Sequence, residues 1–211
     1  RVKADYKSVL DRGEWEAYTC LKEGSRFDGT AEQLDRGPDG KLRHSWKRNT
    51  SPMPPDSINK LIQAGAMKRE EAWLRPQDVD TGADILFHTG SIAWNEYRRR
   101  YVMILSQSWG SSMLGEVWYA EAERPEGPWV YAKKIVTHDD YSFYNPIQHP
   151  YFAKDGGRVI YFEGTYTKSF TGNKVGTPRY EYNQIMYKLE LDDPRLGLPL
   201  KPAKAGGAAV Q

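Results

Sequence analysis

The chain has 211 residues, of which 39% are hydrophobic and 13% aromatic, enough for one or two domains with a sizeable core. Its net charge is +2, from 30 basic and 28 acidic residues, and that balance argues against a nucleic-acid partner, which calls for a concentrated basic face. Cys20 is the single cysteine, which excludes an internal disulfide framework and a cysteine-based zinc site, and no run reaches the ~18 apolar residues of a membrane span.

Taken in order, Arg1–Gly13 is charged and predicts only a weak strand over Tyr6–Leu10. The chain starts at Arg1 rather than Met and carries no signal-peptide pattern, so a processed product, domain or fragment is expected. Glu14–Leu21 reads as a strand that turns apolar along its length, with Cys20 as a buried, inert thiol. Leu34–Trp46 reads as a hairpin around the turn Gly37-Pro-Asp-Gly40. Ser57–Ala72 is the one convincing helix, peripheral to a β scaffold. Ile58, Leu61, Ile62 and Met67 form its apolar stripe, and Gly65 weakens it.

From Ile85 onward the pattern is all strand. Ile85–Trp94, Tyr101–Ser106, Gly115–Glu121 and Trp129–Val136 follow one another through short turns, the first of them carrying Arg98-Arg99-Arg100 as a solvated tip. Tyr144–Thr167 then holds two runs around Lys154-Asp155-Gly156-Gly157, a strong hairpin signal. The first run contains prolines and fits only an edge-like or innermost strand. Tyr182–Leu191 supplies a third strand, and residues 197–211 read as a flexible Gly/Ala/Pro/Lys tail.

These runs repeat. Ser91-Ile-Ala-Trp and Tyr101-Val-Met-Ile match Pro146-Ile-Gln-His and Val159-Ile-Tyr-Phe, and Gly115–Ala120 matches Asn183–Lys188. Four strands at a period of ~50 residues are the pattern of a β-propeller. The expected fold is all-β: a partial β-propeller domain over residues 1–196, with blades of four antiparallel strands at 14–80, 85–137 and 140–192. Three blades fall short of the ~4–8 that close a ring, so further blades or a second chain are expected to complete it.

Tyr144-Asn145-Pro146 ahead of the Gly156-Gly157 turn, Glu14-Trp-Glu16-Ala-Tyr18, and Pro125-Glu-Gly-Pro-Trp129 after Glu116–Glu121 resemble the blades of the five-bladed propeller glycosidases, the arabinanase and β-xylosidase superfamily. The resemblance covers Glu14–Leu191. It implies a secreted or periplasmic glycoside hydrolase that cuts a polysaccharide with carboxylates at the starts of innermost strands, or a non-catalytic carbohydrate-binding relative.

On that reading Glu16 is the proton donor, and Asp140 or Glu163 is the base or the pKa modulator. Asn145 stands where another blade carries Asp, and an amide cannot be a base. Asn145, Tyr144 and His149 are expected sugar ligands, with His88 on another innermost strand. Trp109 and Tyr141 offer stacking faces in loops, while Tyr182 and Asn183 close over a ligand. No cofactor is expected. The resemblance allows a calcium ion in the channel, and too few ligands are visible to argue a metal site from the residues. A structural, hydrogen-bonded role is the plainer reading for both His88 and His149.

Overall fold

The structure is a computed structural model that describes residues 1–176 and 181–199. Strand residues outnumber helical ones, 39% to 16%, so the chain is all-β in class as expected, and no closed barrel or propeller ring is present among the described residues. The chain divides into two compact units, Arg1–Trp73 and Leu74–Gln211.

The first unit departs most from expectation. Tyr6–Leu10 is a short helix, α1, because Asp5 caps it by accepting from the Ser8 N–H at 2.9 Å. The arms of the expected Leu34–Trp46 hairpin do pair, Arg36 with Leu42 and Arg43 N donating to Asp35 O, and strand β1 (Glu16–Thr19) pairs antiparallel with β2 (Ser45–Arg48), into which the second arm continues. The hairpin's turn also forms, with Gly40 N donating to the Gly37 carbonyl. Helix α2 (Pro55–Gln63) begins with proline in its first turn, where no N–H is needed, and stops well before Ala72. Gly65, at φ 69°, ends it. Ala66 N bonds to Leu61 O and Gly65 N to Ile62 O, the paired 6→1 and 5→2 bonds of a Schellman motif. The helix packs Ile58 and Leu61 onto Cys20, Leu21, Leu34, Met53 and Met67. Burial in that cluster raises the Cys20 thiol to about 11, as an inert thiol requires.

Among its described residues the second unit holds two sheets. Strands β4 (Phe87–Asn95), β5 (Arg100–Gln107), β6 (Val117–Ala122) and β7 (Trp129–Val136) form an antiparallel meander. Strand β3 (Leu74–Asp78) adds a fifth, parallel to β7, so residues 74–80 do not belong with the residues expected to share their blade. Strands β8 (Ser142–Gln148), β9 (Val159–Thr167) and β10 (Asn183–Glu190) form a three-stranded meander. Among the described residues the sheets have two, five and three strands, where three sheets of four were expected.

Proline explains the edge position of β8. Pro146 has no N–H for a ladder, the register shifts between Tyr144 and Ile147, and Asn145 takes φ 54° at the bulge. An apolar cluster joins the two sheets: Val102, Ile104, Val117 and Tyr119 from the larger meet Phe143, Ile160 and Phe162 from the smaller. Leu191, Leu196 and Leu198 join it, so the start of the expected tail docks on the core, and residues 200–211 lie outside the described residues.

Candidate functional site

In a meander the connections fall alternately at the two ends of the sheet. The starts of β4, β8 and β10 share one end with the loops 108–116 and 137–141 and with residues 168–176. The two sheets are knitted so that these ends coincide. Phe143 N donates to Leu114 O at 2.9 Å. Ser142 Oγ lies 2.8 Å from the Met113 and Ser169 carbonyl oxygens, and Ser112 Oγ lies 2.8 Å from those of His138 and Tyr141. At the opposite end Asn95 Nδ2 donates to Gly157 O at 2.8 Å. His88, Trp109, Asp140, Tyr141, Tyr144, Asn145 and Asn183 thus belong to one loop end of the unit.

Three rings meet there. Tyr144 and Tyr182 are hydrogen-bonded through their hydroxyls, with centroids 6.3 Å apart, and that bond holds the Tyr182 hydroxyl proton more tightly than usual. Phe170 stands edge-on to Tyr144 at 6.2 Å. Phe170 and Tyr182 are 65% and 63% exposed. Both take positive φ, 72° and 52°, as does neighbouring Asn145. Left-handed backbone is costly for bulky residues, and such outliers concentrate at binding and catalytic sites. Sequence reasoning missed Phe170. Its signal is an aromatic residue inside the polar loop Lys168-Ser-Phe-Thr-Gly172.

The remaining predicted residues at this end differ in availability. Trp109 is 64% exposed, on a loop anchored by the buried Glu116. Burial raises the Glu116 pKa, but bonds from Ser111 N at 3.1 Å and Thr137 Oγ1 at 2.8 Å outweigh it, and the group stays ionised below the usual carboxylate range. Tyr141 is not an open face: it stacks on Tyr166 at 4.5 Å and donates to Val175 O at 2.8 Å. Asp140 is exposed, and its backbone carbonyl accepts from Asn173 Nδ2 at 3.2 Å. His88 and Asn183 are exposed at the starts of β4 and β10.

His149 and Glu163 lie away from this group. His149 follows the far end of β8, with Nε2 3.2 Å from Glu163 Oε1 and Nδ1 2.6 Å from the Tyr151 hydroxyl. His149 lines a cleft of about 220 Å³ together with Trp94, Glu96, Gln148, Gly157 and Tyr161. Glu16 belongs to the first unit, where Arg1 Nε contacts its carboxylate at 2.7 Å. That hydrogen bond lowers its pKa.

Among the described residues no three or more His, Cys, Asp or Glu side chains converge as a metal site would need. No described helix is long and apolar enough to cross a membrane. No protein-family model matches the chain, and no curated protein matches it in sequence.

Proposed function

We propose that the second unit is a pair of consecutive β-propeller blades whose loop end binds an oligo- or polysaccharide without cleaving it. One observation carries the ligand class: the Tyr144, Phe170 and Tyr182 rings stand together, and the exposed Asn145 follows Tyr144 in β8. Sugar rings offer C–H faces to aromatic side chains and hydroxyls to amides, so this mix suits them. The non-catalytic form is favoured because a general acid must keep its proton near working pH. Glu16 is held ionised by Arg1 instead. A polysaccharide ligand carries with it a secreted or periplasmic location, and further blades or a second chain would close the ring.

The test is retention of the whole chain in native gels cast with soluble xylan, arabinan or glucan. Tyr182→Ala is expected to lose at least ten-fold in affinity for the retaining glycan while keeping the parent's unfolding midpoint. If no glycan retards the parent, the reading fails.

A hydrolase is the second reading, and Asp140 is the observation that favours it, as an exposed carboxylate at the same end. On that reading the parent releases reducing sugar, and Asp140→Asn stops release while leaving retention intact.

A further inference from the structure

The cleft of about 220 Å³ lies apart from Tyr144, Phe170 and Tyr182, none of which lines it. One wall is the close of β4 with its turn, from Ala93 to Glu96, and the other is the close of β8 with the start of β9. Two buried amides pin these walls to each other. Gln148 Nε2 donates to the Ser91 and Val102 carbonyl oxygens at 3.0 and 2.9 Å, and its backbone N–H donates to Ser91 Oγ at 2.7 Å. Asn95 Nδ2 donates to Gly157 O at 2.8 Å, while its Oδ1 accepts from Arg98 N at 2.8 Å. A cleft held this way is formed before a ligand arrives, which keeps the ordering cost of binding small.

The lining sets the ligand class. Ala153 and Ile160 supply aliphatic surface, and Trp94 and Tyr161 supply rings. Among the described lining residues Glu96 is the carboxylate, and neither lysine nor arginine is present. Glu96 Oε1 accepts from Trp94 Nε1 at 2.8 Å, which sets the negative charge at the edge of the indole. The indole in turn stands edge-on to Tyr101 at 5.2 Å. A second carboxylate, Glu163, stands beside His149, with Oε1 3.2 Å from Nε2. The chain's own Lys154 already places its Nζ 5.7 Å from the Tyr161 ring centroid. Aromatic faces attract ammonium groups within ~6 Å of the centroid, and a neighbouring carboxylate adds to that attraction. Sites for drug-sized ligands run to ~300–1,000 Å³, so a cleft below that range suits a ligand the size of one side chain.

We propose that this cleft binds an aliphatic ammonium group, carried by a small amine or by a lysine side chain of another polypeptide. The ammonium sits by Glu96 and the Trp94 and Tyr161 rings, and the alkyl chain covers Ala153 and Ile160. The inference needs only this cleft, not the sugar reading of the loop end.

The probes are n-pentylamine, n-pentanol as its uncharged counterpart, and Nα-acetyl-lysine amide. Each is titrated into the isotope-labelled whole chain at constant pH and ionic strength. The readout is the Trp94 indole N–H resonance, assigned by its loss in Trp94→Phe. n-Pentylamine is expected to shift it saturably, with an affinity at least about ten-fold above that of n-pentanol. Glu96→Gln, at an exposed position, keeps an oxygen that can accept from Trp94 Nε1 and removes the charge. It is expected to weaken n-pentylamine about ten-fold while leaving n-pentanol and the unfolding midpoint unchanged. Binding of the lysine amide as well assigns the ammonium to a protein side chain, and binding of n-pentylamine alone assigns it to a small amine; either supports the proposal. It is overturned if n-pentylamine gives no saturable shift, if n-pentanol binds as tightly, or if Glu96→Gln leaves the amine affinity unchanged. Tyr182→Ala is expected to lose glycan retention with the amine titration intact, so the failure of one reading does not decide the other.

Discussion

The Tyr187 hydroxyl donates to His138 Nε2 across 2.9 Å, and that bond joins the third strand of the smaller sheet to the loop before β8. The direction follows from the other ring nitrogen. His138 Nδ1 lies 2.8 Å from the Gly115 carbonyl, which can only accept, so the proton sits on Nδ1 and Nε2 is left as acceptor. Burial lowers the His138 pKa, which keeps the ring neutral in this role, and it stacks on Phe143 at 4.8 Å. Tyr187→Phe keeps the ring packing and strands a buried acceptor. The expected cost is about 1–3 kcal/mol, read from urea unfolding of the whole chain. An unchanged midpoint would mean that water reaches Nε2 and that the bond contributes nothing.

Much of the second unit was legible because its strands are apolar runs cut by strong turn signals. Tyr101-Val-Met-Ile and Val159-Ile-Tyr-Phe sit in β5 and β9, as the repeat requires. The first unit was legible only in part: β1 and α2 fall on the expected strand and helix, but the pairing of β1 with β2 is short and distant. Glu16 faces Arg48 across thirty-odd residues, and nothing local announces that register. Leu74–Asp78 was missed as a strand because Pro76 and its polar neighbours read as loop, while the parallel partner lies more than fifty residues later. At the site, aromatic and amide residue types pointed to the loop end. They did not separate covered Tyr141 from open Tyr182, because loop position in sequence carries no information on stacking partners.

Gly164 tests how tightly the two sheets' shared core is filled. A Cβ built there lies 2.5 Å from Phe143 Cε1, and Phe143 is fully buried. The ring has nowhere to retreat, because His138, Phe162 and Tyr187 surround it. Gly164→Ala is expected to destabilise by about 1–3 kcal/mol, the usual cost of overpacking, with loss of near-ultraviolet circular dichroism at a lower urea concentration. A neutral result would show the core to be looser than these distances imply.

The left-handed backbone at Phe170 and Tyr182 predicts opposite responses of stability and binding. Relieving that conformation with glycine gains roughly 1–2 kcal/mol per residue, less about 0.5–1 kcal/mol of added unfolded-state entropy. Phe170→Gly and Tyr182→Gly are therefore expected to leave stability unchanged or raise it by up to about 1 kcal/mol, while glycan retention falls. Thermal melts and affinity gels on the same preparations make the comparison. A variant that loses stability would show that the ring packing outweighs the backbone strain, and the argument from strain to function would lose its basis.

Acid should weaken the first unit through His44. Its ring stacks against Tyr18 at 6.1 Å, and burial, with help from the Lys47 charge, lowers its pKa to about 4. In the unfolded chain a histidine titrates near ~6.5. Between those values the unfolded state binds a proton that the folded state refuses, so stability rises with pH across the window. The contribution is complete above about pH 6.5 and is lost as pH falls towards 4, with a slope of at most about 1.4 kcal/mol per pH unit for one proton. Asp35 and Glu71, whose pKa values are lowered, lose their own contributions only below the ordinary carboxylate range, so pH 5–7 isolates the histidines. His44→Phe keeps a ring against Tyr18 and removes the titration. Urea midpoints at pH 7, 6 and 5 are expected to fall less steeply for this variant than for the parent. Parallel acid limbs for the two proteins would show that His44 takes up its proton as readily folded as unfolded.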